Sequence, residues 1–292
     1  MLSIARRWLF APLLCMLLPG SIIALGWMER TMLHHGDDPP PPLLFGKLGK
    51  SVFADALRSF SVGLVSLLHG MIWTLPGGVI LLLCWWGGWT VSFYKAYEQS
   101  WMGATGSFVG IALLLLGLLH LPAADARRMA TGDLREALRP AMIRQIMAYH
   151  PIKWAWLSSF QALIGAITAF AALFLLGMGD DLPPNAGPEE LEKLKNQAGL
   201  MMLGLCVFGF SARRWLKGWA LRLHQSGLDR LVVEGPRTRW HPLVLIGLVW
   251  RLSAWFGFVA ALYVSQFVNY IWFMFLHHPA LHAPWFNLLA PQ

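Results

Sequence analysis

The chain is short of charge. Only 13% of its 292 residues are Asp, Glu, Lys or Arg, whereas 57% are hydrophobic. A soluble domain carries roughly 25% charged residues, so about half the usual complement is missing. Cysteine is scarce as well. Cys15, Cys84 and Cys206 are too scattered for a metal cluster or a disulfide framework and read as small buried side chains. There is no phosphate loop and no serine-nucleophile elbow. No Asp or Glu is expected deep in an apolar run, which argues against a proton- or sodium-coupled transporter. Alternation of apolar and polar residues is missing too. Runs such as 111–119 are continuous, which excludes a β-barrel.

What the chain does have is six long apolar stretches, over 8–27, 61–90, 103–121, 154–178, 196–212 and 243–276. A helix needs ~20 apolar residues to cross the hydrocarbon core. The expected fold is all-α: one integral membrane domain over 1–292, a polytopic transmembrane helical bundle of about six spans. One or two amphipathic surface helices are expected beside them, over 52–60 and 131–147. Between the first two spans, 28–51 reads as a loop, with Pro39 to Pro42 as a stiff spacer. The 61–90 stretch contains Pro76-Gly77-Gly78, so it is either one kinked span or two half-length helices. One kinked span is the preferred reading.

The formal charge is +8. Nucleic acid is not the expected partner, because the Lys and Arg flank apolar segments and do not interleave with stacking aromatics. The basic segments 122–153 and 213–240 are expected on the cytoplasmic side, and the acidic 179–195 on the other. Six full crossings then put the N-terminus outside, whereas Arg6 and Arg7 argue for inside. A double crossing at 61–90, or an early segment that does not fully cross, resolves the conflict. Arg6 and Arg7 ahead of the first run fit an uncleaved signal anchor. Arg135, Arg139, Arg144, Arg213 and Arg214 are expected to meet anionic lipids or an acidic partner.

Ten histidines invite a metal or haem. His278 and His282 have the i, i+4 spacing of a helical metal site. Pro279 and Pro284 oppose a helix there, so interfacial histidines are preferred. His69 and His120 lie in or at the ends of spans. Each is a candidate cofactor ligand, set against the plainer reading of a hydrogen bond to a facing helix; no cofactor is predicted. Arg251 is expected to snorkel to the headgroups or to pair inside the bundle.

Sixteen tryptophans fit interfacial belts for the most part. Trp85, Trp86 and Trp89 are denser than a belt needs. With Gly77, Gly78, Gly87 and Gly88 they form a candidate surface for close helix packing. The segment Leu121-Pro122-Ala123-Ala124-Asp125-Ala126-Arg127-Arg128, followed by 134–156, resembles that of uncharacterised multi-pass bacterial membrane proteins sharing a domain of unknown function. Trp73 to Ile80, with its Pro-Gly-Gly, is similar to a span in the same proteins. The resemblance implies bacterial origin and inner-membrane residence, and no activity. The expected function is a non-catalytic accessory or scaffold subunit of a larger membrane complex. Its expected partners are other membrane subunits and lipids. The alternatives are a small-molecule or lipid permease, or a cofactor-carrying subunit that uses an intramembrane histidine.

Overall fold

The computed structural model describes residues 10–33, 51–84, 100–177, 187–238 and 240–276. Every regular element among them is helical. In chain order these are α1 (Leu18–Met32), α2 (Ser51–Leu83), α3 (Ser100–Thr131), α4 (Leu134–Ala137), α5 (Pro140–Met147), α6 (Pro151–Gly177), α7 (Pro188–Glu234) and α8 (Pro242–Leu276). Four stretches, in α2, α3, α6 and α8, are long and apolar enough to cross a membrane: Phe53–Leu83, Gly106–Thr131, Pro151–Ala172 and Pro242–Ala261. The chain is thus an all-helical membrane protein.

The first apolar run is not one straight helix. Residues 10–14 are helical, then Cys15, Met16 and Leu17 donate to carbonyls three residues back, and α1 starts anew with a proline in its first turn. The first piece folds back on the second, with Ala11 fully buried beside Ala24, Trp27 and Met28. α1 has 15 residues. At ~1.5 Å per residue it falls short of the ~30 Å hydrocarbon core. It also extends through Glu29 and Arg30, which lie in the stretch expected to be a loop.

α2 runs unbroken through Pro76 and absorbs the surface helix expected over 52–60. α3 likewise continues through Pro122, so Asp125, Arg127 and Arg128 sit on the spanning helix and not in a loop after it. α1 and α2 meet at glycines. A Cβ on Gly26 would lie 1.7 Å from the Ser59 carbonyl oxygen, and one on Gly63 would lie 1.9 Å from that of Ile22. Backbones this close leave no room for a side chain, as in small-residue helix pairs in membranes.

The helix expected over 131–147 is two pieces. Gly132, at φ 70°, ends α3, and Asp133 caps α4 by accepting from the Arg135 N–H at 2.8 Å. Pro140 then opens α5. The apolar side of α5 packs on protein: Ile143 and Met147 join Ala123 and Ala126 of α3, Trp154 and Leu157 of α6, and Leu216 and Leu223 of α7 in one buried cluster. This corrects the reading of 131–147 as a helix with its apolar face in the bilayer. α7 is 47 residues long. It therefore extends ~70 Å and carries the expected span 196–212 well beyond the hydrocarbon core.

Candidate functional site

The helices bring a set of charged groups together in the interior. Glu29 of α1, Ser66 and His69 of α2, Asp125 and Arg128 of α3, and Lys217 of α7 converge from four elements. Glu29 is 1% exposed, Arg128 5% and Lys217 6%. These values decide the physics, because an isolated ion at such burial costs several kcal/mol and survives only when paired.

The pairing is dense. Arg128 Nη2 donates to both carboxylate oxygens of Glu29 at 2.7 Å, and to Asp125 Oδ1 at 2.8 Å. Lys217 Nζ donates to Glu29 Oε1, lies 2.6 Å from Asp125 Oδ2, and donates to Ser66 Oγ at 3.2 Å. The Ser66 hydroxyl in turn donates to Glu29 Oε1 at 2.6 Å. Two carboxylates and two cations alternate in a closed square, so the network is neutral as a whole. Arg30 continues the polar seam outward, donating to Ser59 Oγ at 2.9 Å and pairing with Asp55 at 3.4 Å.

His69 is fully buried beside the square. Its Nε2 accepts from Trp73 Nε1 at 3.2 Å, so in the neutral ring the proton sits on Nδ1. Nδ1 lies 3.7 Å from Asp125 Oδ1, too far for a hydrogen bond, and has no partner among the described residues. Trp73 also stacks on His120 at 5.6 Å, and His120 Nδ1 lies 2.8 Å from the Leu116 carbonyl. The two candidate histidines therefore flank one indole and do not share a ligand. No group of three or more His, Cys, Asp or Glu poised to hold a metal occurs among the described residues.

Two members of the square, Asp125 and Lys217, line a cavity of about 600 Å³. Ser66 and His69 line it beside them, and Leu25, Ile164, Phe210 and Trp255 are among the apolar walls. Small-molecule sites run ~300–1,000 Å³, with mostly apolar walls and a few fixed polar groups, and this cavity has both features. Gln161, on its wall, has a buried Oε1 with no partner among the described residues. The site combines an apolar chamber, a rigid ionic floor and unused hydrogen-bonding capacity.

The other candidates fall as follows. Gly77 is spent inside the chain: a Cβ there would lie 2.3 Å from the Leu114 nitrogen. Gly78 faces open space. Trp85, Trp86, Gly87, Gly88, Trp89, His278 and His282 lie outside the described residues. Arg135, Arg139 and Arg144 are exposed, with Arg139 2.5 Å from Glu136. Arg213 is exposed and lines the cavity, and Arg214 donates to Thr31 at 3.3 Å. Arg251 is buried, donating to the Leu119 carbonyl at 3.3 Å, so it does not snorkel. Glu29 is buried and Asp125 mostly buried in the protein, although they lie outside the apolar runs. Both follow an apolar run by one helical turn or less, and helices that outlast their apolar stretches carry them inside. The signal was Asp125 and Arg128 at i, i+3, with Lys217 just beyond the 196–212 run.

Fold and site together define an α-helical membrane protein with an ionic network in its interior. The chain belongs to the family described as protein of unknown function (DUF4013), which it matches over residues 9–177. The match takes in both stretches that carried the resemblance, and every member of the network except Lys217. No curated protein and no solved structure matches the chain.

Proposed function

We propose that the protein is a membrane permease or carrier that holds a small amphiphile or lipid in its interior cavity. The observation that carries this reading is the 600 Å³ cavity lined by Asp125 and Lys217, two members of the Glu29–Arg128–Asp125–Lys217 square. Ionisable groups inside a membrane bundle are costly and mark substrate or ion pathways. The scaffold reading drew on the lack of such groups within the apolar runs as well as on tryptophan and glycine surfaces, and the buried square favours a permease over it. We place the protein in a bacterial inner membrane, with the basic ends of α3 and α7 in the cytoplasm. Five crossings, by α2, α3, α6, α7 and α8, suit this better than six. The folded-back 10–32 segment then enters without crossing, and the charge conflict at the N-terminus disappears.

The test is transport in liposomes. Purified protein should move a fluorescent single-chain amphiphile between leaflets faster than protein-free vesicles do. Gly209 lines the cavity, and a Cβ added there meets nothing within 4 Å. Gly209→Trp should therefore fill the chamber, leave the fold intact and abolish the flux. Equal flux in both proteins removes the reading.

A second reading, as an accessory subunit, is supported by the first half of α7. There Leu200, Met201, Met202, Val207 and Phe208 are all exposed. Co-purification of a stoichiometric membrane partner, lost when these are made polar, would favour it over lipid contact.

A further inference from the structure

We infer that the ligand of the cavity is an anionic single-chain amphiphile, and that Arg213 receives its acidic headgroup. The inference rests on the ligand-binding reading above and names the chemistry of what is bound. Arg213 precedes Lys217 by four residues on α7, so the two project from the same helix face, and both line the chamber.

Their circumstances differ. Lys217 is spent on Glu29, Asp125 and Ser66. Arg213 has no carboxylate partner among the described residues, although it stands next to the apolar run 196–212 of a helix that enters the bundle. An arginine near the hydrocarbon region is expensive unless an anion or water meets its guanidinium. The square itself is neutral, so the chamber as a whole carries one surplus positive charge, on Arg213.

Carboxylate and phosphate monoester oxygens both suit Arg213, since a guanidinium binds either in bidentate fashion. The chamber is small for a two-chain lipid and matches a single-chain molecule in the drug-size range. Asp125 at the floor repels an anionic headgroup from the square itself. The acid therefore sits towards Arg213, and the chain lies along Leu25, Ile164 and Phe210.

The experiment uses the full-length protein in mild detergent, with native mass spectrometry and competition by defined probes: oleate, oleoyl phosphate, oleyl alcohol and oleylamine. Oleate or oleoyl phosphate should bind at one per chain, at least tenfold tighter than the alcohol, and the amine more weakly than either. Arg213→Gln should cut the affinity for the acid roughly tenfold and leave that for oleyl alcohol unchanged. Arg213→Lys should recover part of the loss. Since Arg213 is exposed, the substitution does not threaten the fold. Oleyl alcohol or oleylamine binding as tightly as the acids, or an Arg213→Gln protein that binds oleate as tightly as the parent, would overturn the anionic headgroup but spare the cavity as a ligand site. Failure of all four probes to bind would overturn the ligand-binding reading itself. The comparison between oleate and oleoyl phosphate tells carboxylate from phosphate.

Discussion

Replacing Glu29 by glutamine tests whether the buried square is a cooperative unit. Glutamine keeps the shape and removes the charge. Arg128 and Lys217, at 5% and 6% exposure, would then share one carboxylate, Asp125. Removing one partner from a buried ionic set typically costs ~3–5 kcal/mol, because the remaining charge stays buried and unpaired. At ~2–4 °C per kcal/mol for a chain of this order of size, the melting midpoint in detergent should fall by roughly 6–20 °C. Removing an opposite charge alongside it should help. In Glu29→Gln/Lys217→Met the Asp125–Arg128 pair remains at 2.8 Å and the interior is neutral again. The double variant should be more stable than the sum of the two single losses by at least ~1 kcal/mol, the signature of groups in direct contact. As a reference, Glu234→Gln breaks a half-exposed pair with Arg237 at 3.5 Å, and should change stability by no more than ~1 kcal/mol. Differential scanning fluorimetry of the parent, Glu29→Gln, Lys217→Met, the double variant and Glu234→Gln is sufficient. Strict additivity, or a Glu29→Gln loss no larger than that of Glu234→Gln, would refute the claim that the square acts as one unit.

Other outcomes follow from the same structure. Burial, with a smaller contribution from Arg127, pushes His224 down from its ordinary 6.5 to about 4. The folded state then binds fewer protons than the unfolded state between those values, so stability should fall as pH drops from about 6.5 towards 4. The loss should reach about 3 kcal/mol, and His224→Leu should flatten that part of the pH–stability curve. Gly26→Leu should separate α1 from α2, since even a Cβ would sit 1.7 Å from the Ser59 oxygen, whereas Gly78→Leu should be tolerated in open space. Size-exclusion profiles in detergent distinguish the two outcomes. Arg135→Glu with Arg139→Glu should weaken association with anionic vesicles by ~1 kcal/mol per residue, measured by the salt dependence of binding of a soluble 131–150 peptide or by lipid co-purification with the whole protein.

The class of fold was legible because long apolar runs leave few alternatives. The spanning stretches in α2, α3, α6 and α8 all overlap runs read from composition alone. Helix ends were not legible. A transfer scale places a boundary where polarity begins, but helix propensity and tertiary packing carried α1 through Glu29, α3 through Arg128 and α7 through Lys217. The site was hidden for that reason: its ions come from helix ends on four elements separated by up to 188 positions, and pairing across such distances leaves no local pattern. His69 was singled out by its isolation in an apolar run, and it does lie against the network. The break at 15–17 was missed because both flanking pieces are apolar, and Pro19 was absorbed into a continuous span.

The central claim is that the chamber above the ionic square is a ligand site. Organic extraction of the protein purified from its own membranes, followed by mass spectrometry, tests it most directly when the parent and Gly209→Trp are compared at equal amounts. The expected result is one amphiphile enriched at close to one per chain in the parent and depleted in Gly209→Trp, with bulk membrane lipids equal in both. The same amphiphile at the same level in both proteins, or none in either above bulk lipid, would contradict it.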